Sequence, residues 1–133
     1  MNAKTYIVYH GSPKAESIKK EGFKRIYKRA KNGQRITYLG YHFTKHKENA
    51  KPYGNVITAR INVKLIPESK YFKLYNKLIK EGYKQPHYNG KRLYGASFIT
   101  EIKKQIRAKG YDGIDGEEVV VFDKRKIEII GGK

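Results

Sequence analysis

Three groups of polar residues carry the types and spacing from which a reactive site could be built. His10-Gly11-Ser12 follows the apolar run KTYIVY. Tyr41 and His42 lie in GYHFT, with Tyr53 further along the same segment. Glu118 stands at the head of EVVVF, an acid opening a run that is otherwise apolar. A carboxylate on a buried strand is costly unless it is paired or used. An imidazole titrates near neutrality and can donate, accept or stack. A histidine that ends a strand is most often a structural hydrogen-bonder, so the meaning of His10 depends on which partners the rest of the chain supplies. The chain has no cysteine, which excludes a thiol nucleophile, a disulfide framework and a zinc-thiolate site. No acidic or histidine cluster has ligand spacing, so no metal is expected.

The elements that position these residues follow from periodicity. Residues 4–9 read as a β-branched and aromatic strand ending at His10. A short helix follows, with Ser12 as its cap, Pro13 in its first turn, Ala15 and Ile18 on one face and Gly22 as its stop. The run 24–36 has six basic groups and no acid and reads as a mobile loop. Residues 40–44 form a short strand and 45–53 a short helix ended near Pro52. Residues 55–65 alternate as a strand. Residues 70–81 are helical, with Phe72, Tyr75, Leu78 and Ile79 as the buried stripe. Residues 83–96 read as a loop, and 97–109 as a helix capped by Ser97 with Phe98, Ile102, Gln105 and Ile106 on its inner face. Strands 116–122 and 126–131 close an α+β pattern within a single domain, 1–133.

Composition narrows the setting. Seventeen aromatics, 12 Tyr and 5 Phe, offset a hydrophobic fraction of only 38% and indicate a folded chain. No apolar stretch is long enough to span a membrane, and the N-terminus lacks the core of a signal peptide, which predicts a cytoplasmic protein. Thirty Lys+Arg against twelve Asp+Glu give a net charge of +18. Such a field draws in phosphate-bearing partners, although a basic proteome or a solubility requirement accounts for the balance equally well.

Taken in order, the three groups resemble the motifs of the ADP-ribosyltransferase superfamily, in the branch that includes diphtheria toxin and the poly(ADP-ribose) polymerases. VYHGS followed by a helix is similar to that branch's first motif, a His-Gly-Ser/Thr at a strand end. GYHFTKHKENAKPYG is similar to the second, an aromatic strand and a short helix with Ala50, then Tyr53. EEVVVFD is similar to the third, a Glu opening a strand.

The resemblance implies two small antiparallel sheets packed around an NAD cleft with flanking helices. It implies a mono-ADP-ribosyltransferase that cleaves the nicotinamide–ribose bond of NAD and passes ADP-ribose to a macromolecular acceptor, protein or nucleic acid. NAD is then a substrate. His10 would bond the adenosine-side ribose, the Gly11 backbone the nicotinamide carboxamide, and Ser12 a nearby group. Tyr53 would stack on the nicotinamide ring, and Glu118, the catalytic residue with His10, would stabilise the oxocarbenium-like transition state. Where the branch usually has a stacking tyrosine this chain has His42, which offers less surface; Tyr41 faces the other side of the strand. Two residues before Glu118, where arginine-modifying members place a second Glu, stands Gly116, leaving room for a bulkier acceptor.

Other readings stay open: an NAD glycohydrolase or an RNA 2′-phosphotransferase of the same fold, or a non-catalytic basic module that binds nucleic acid. The basic segments 24–35 and 83–96 are candidates for nucleic-acid contact, the second interleaving Tyr83, Tyr88 and Tyr94 with Lys84, Lys91 and Arg92. As a toxin-like or phage-type effector, the chain would be delivered into a host cytoplasm by another component or made there.

Overall fold

A computed structural model describes residues 3–23, 27–29, 35–37, 40–82, 87–88, 91–92 and 96–132. Strand β1 (Lys4–Ser12) leads into helix α1 (Ala15–Glu21). A two-stranded ribbon, β2 (Tyr27–Arg29) and β3 (Arg35–Thr37), precedes β4 (Tyr41–Thr44). Helix α2 (Lys47–Ala50) continues as a 3₁₀ turn, Lys51–Tyr53, into β5 (Asn55–Val63) and β6 (Leu65–Pro67). Helix α3 (Glu68–Lys80), a second ribbon of β7 (His87–Tyr88) and β8 (Lys91–Arg92), and helix α4 (Ala96–Ala108) follow. Strands β9 (Gly113–Asp115), β10 (Glu118–Val121) and β11 (Ile127–Gly132) complete the chain. No described helix is long and apolar enough to cross a membrane.

The fold is α+β, but it is built on one mixed sheet of seven strands, in the order β11-β5-β1-β4-β10-β9-β6, rather than on two small antiparallel sheets. Two features account for the difference. Strand β6 pairs with β9 in parallel, and β1 and β4 stay joined through one residue pair, Tyr9↔Thr44. Along its other edge β1 pairs with β5 over nine residues, from Lys4↔Val63 to Ser12↔Asn55. The sheet is therefore continuous but splits beyond Tyr9, and that split matters for the site.

Strand β10 is apolar because both its sides are covered. Val119 and Val121 join Val8, Phe43, Ala59, Ile61 and Val63 on one face. Val120 joins Ile66, Leu78, Phe98, Ile102 and Ile106, the layer that α3 and α4 form on the other. Full burial of each such side chain contributes about 1.5–3 kcal/mol.

Several boundaries differ from the sequence reading. Strand β1 runs on through His10, Gly11 and Ser12, because β5 is long enough to pair with all three. Helix α1 begins at Ala15, and Ser12 does not cap it; its Oγ accepts the Lys14 N–H at 3.0 Å across the Ser-Pro-Lys turn. Part of the supposed basic loop 24–36 is the β2–β3 ribbon. Helix α3 buries Tyr71, Leu74, Tyr75 and Leu78, a clean i, i+3, i+4, i+7 stripe, and leaves Phe72 and Ile79 outside. Ser97 lies within α4, one residue past its start. Strands β6 and β9 are three residues each, too short for an alternation to be seen.

Candidate active site

Tyr9, His10, Gly11, His42, Phe43, Thr44, Ala50, Tyr53 and Glu118 line a pocket of about 210 Å³ at the split between β1 and β4. The registers explain how residues from both sheet faces reach it. Glu118 pairs with Thr44, and His42 with Val120, so His42 and Glu118 are diagonal neighbours on one face. His10 lies on the other face with Val8 and Phe43. Where the ladder stops after Tyr9↔Thr44, both faces open on the same gap.

The polar contacts form a chain across that gap. His10 Nδ1 donates to the His42 carbonyl at 2.9 Å. A carbonyl can only accept, so Nδ1 carries the proton and Nε2 of the neutral ring is an acceptor. The His10 ring is braced edge-on by Phe23, centroids 5.2 Å apart, and by Phe43 at 6.0 Å. The His42 Nδ1 stands 3.1 Å from Glu118 Oε2 and donates to it. Glu118 Oε1 has no hydrogen-bond partner among the described residues. The two side chains are 43% and 51% exposed, so the contact is worth only about 0.2–1 kcal/mol and sets orientation more than stability. Glu118 is thus not a buried carboxylate: it heads β10 at the sheet's end, and burial begins at Val119.

Gly11 has two roles in this geometry. The Tyr9 carbonyl turns toward β4 and accepts from Thr44 Oγ1 at 3.5 Å. Two residues on, Gly11 turns its own N–H and C=O to that same side, where β4 has diverged. A Cβ at Gly11 would lie 1.8 Å from the Ala50 carbonyl oxygen, so α2 itself, at its closest approach to β1, requires the glycine there. Gly54 is fixed similarly, with φ +128° and its Cβ position 2.6 Å from the Ser12 carbonyl carbon. These two close approaches seat the Lys51–Tyr53 turn against β1 and place Tyr53 at the pocket mouth, 65% exposed.

Of the residues singled out in the sequence, the structure brings together His10, Gly11, His42, Tyr53 and Glu118. Ser12 is outside, occupied with its turn. Gly116 lies in the turn between β9 and β10, where a Cβ would first meet the carboxylate end of the exposed Glu68 side chain, which is free to swing aside. Most of segments 24–35 and 83–96 falls outside the described residues. Phe23, Phe43, Thr44 and the Ala50 carbonyl also shape the site, although no sequence motif singles them out. Phe43 was signalled by its alternation with His42, and Phe23 by following the Gly22 stop. Among the described residues no group of three or more His, Cys, Asp or Glu could hold a metal ion. Compared with family models, curated proteins and solved structures, the chain matches none.

Proposed function

We propose that the chain is an NAD-cleaving mono-ADP-ribosyltransferase whose site is the pocket at the β1–β4 split. The observation that carries this reading is the convergence of Glu118, oriented by His42, with His10, the Gly11 backbone and Tyr53 around one cavity. Its volume suits the nicotinamide and its ribose rather than a whole dinucleotide, since sites enclosing a drug-sized ligand measure roughly 300–1,000 Å³.

In this mechanism the Gly11 amide and carbonyl bond the carboxamide of nicotinamide, and Tyr53 covers the ring. The His10 Nε2 accepts a hydrogen bond from a hydroxyl of the adenosine-side ribose. As the C–N bond breaks, its electron pair leaves with nicotinamide and positive charge develops on the ribose. Glu118 Oε1 accepts from a hydroxyl of that ribose and stabilises the charge. The acceptor's nucleophilic atom then bonds to the anomeric carbon and loses its proton. An NAD glycohydrolase would use the same residues with water as acceptor.

The experiment is incubation with NAD labelled in its adenylate part, with and without a cell lysate. Label retained on macromolecules after denaturation is the expected result. Free ADP-ribose alone would make the enzyme a glycohydrolase, and no turnover of NAD would remove the reading.

A further inference from the structure

The outward side of α3 carries Lys70, Lys73, Lys77 and Lys80, spaced i, i+3, i+7, i+10, so all four project along one exposed stripe. None pairs with a carboxylate among the described residues, and the helix's single acid is Glu68 in its first turn. Helix stability explains part of this at most. Lys77 and Lys80 complement the negative end of the helix, whereas Lys70, near the positive end, opposes it. About a quarter turn round the helix from the stripe, past Ser69 and Asn76, stand Phe72, 48% exposed, and Ile79, 37% exposed, two turns apart. An exposed aromatic next to a row of unpaired cations is the combination that stacks on a base while contacting phosphates.

We propose that this face of α3 binds single-stranded nucleic acid, with phosphates on the four lysines and a base on Phe72. From Lys70 to Lys80 the helix rises about 15 Å, enough for a short single-stranded segment to run along the stripe. A second copy of the chain is the wrong occupant, because it would set lysines against lysines on a protein of net charge +18. None of these residues lines the pocket at the β1–β4 split, so the surface stands or falls independently of NAD cleavage.

The test is fluorescence anisotropy of a labelled 20-nucleotide oligouridine between 50 and 200 mM salt. Four proteins are compared: wild type; Lys70→Gln, Lys73→Gln, Lys77→Gln and Lys80→Gln combined; Lys4→Gln, Lys20→Gln, Lys104→Gln and Lys124→Gln combined; and Phe72→Ala. Both quadruple variants remove the same charge from exposed positions, and circular dichroism confirms that each is folded. The α3 variant is expected to bind at least tenfold more weakly and to flatten the log–log salt slope by about 2–3, at about 0.7 per phosphate contact. The scattered variant should change binding less than threefold. Phe72→Ala should weaken it roughly fivefold without changing the slope. Equal losses in the two quadruple variants would mean diffuse attraction to net charge and would overturn the proposal. So would absence of oligouridine binding, including the case where anionic vesicles bind through the stripe instead.

Discussion

The His42 imidazole donates to Glu118 across two adjacent strands, Nδ1 to Oε2 at 3.1 Å, from a position diagonal to it on one face of the sheet. The side chain that stands where a stacking ring was expected thus serves as a holder for the carboxylate. Removing it frees Glu118 to rotate while leaving the fold alone, because both groups are about half exposed. His42→Ala is expected to slow nicotinamide release about tenfold, equivalent to about 1.4 kcal/mol of barrier. Its unfolding temperature should stay within a degree or two. His42→Gln, which keeps an N–H donor, should recover part of the rate.

Gly11 supports a prediction about stability. With the Ala50 carbonyl oxygen 1.8 Å from a Cβ, Gly11→Ala must push α2 away from β1. Overpacking of this kind costs about 1–3 kcal/mol, and thermal unfolding should fall by several degrees. The same shift would open the pocket and raise the KM for NAD.

Tyr53 supplies the contrasting case. It is largely exposed, and the described residues give it no hydrogen bond. Tyr53→Ala should therefore change stability by no more than about 0.5 kcal/mol. Steady-state kinetics of NAD cleavage should nevertheless show a several-fold higher KM.

Acid stability has a local sensor at the turn before β11. The Asp123 carboxylate accepts from the Arg125 guanidinium at 2.8 Å and from its backbone N–H at 2.9 Å. These bonds hold its pKa at about 2, below the ordinary 3.8. Because the folded value is depressed, the contribution is fully present above the unfolded value and is lost as pH falls through the folded one. Asp123→Asn should be less stable than wild type at pH 7, with the gap closing between about pH 4 and 2 in thermal melts. The pair is well solvated, so the gap is small.

How far the chain could be read from its sequence depends on the range of the interactions involved. Strand β5 and helices α3 and α4 show in their own periodicity, because each has one buried side over many residues. The run Val119–Val121 is apolar throughout, yet only the packing shows that it is covered on both faces. The pocket residues His10, Gly11, His42, Tyr53 and Glu118 were legible as residue types in order. Their relationships were not. The His42–Glu118 contact spans 76 residues, and it follows from a strand register that no local pattern encodes. The reason for Gly11 was likewise hidden, since the atom that requires it belongs to Ala50. The inner face of α3 was misassigned by one position because Phe72 and Ile79 are as apolar as the residues actually buried. Which of them is buried is decided by tertiary packing against the sheet and α4.

The most direct test of the central claim is nicotinamide release from NAD by wild type and Glu118→Gln, a swap that keeps the shape and removes the charge. Release by wild type is expected, with a loss of about a hundredfold or more in the variant, the usual cost of removing one electrostatic stabiliser, and unchanged melting. Equal release by both proteins, or none from wild type at saturating NAD, would contradict it.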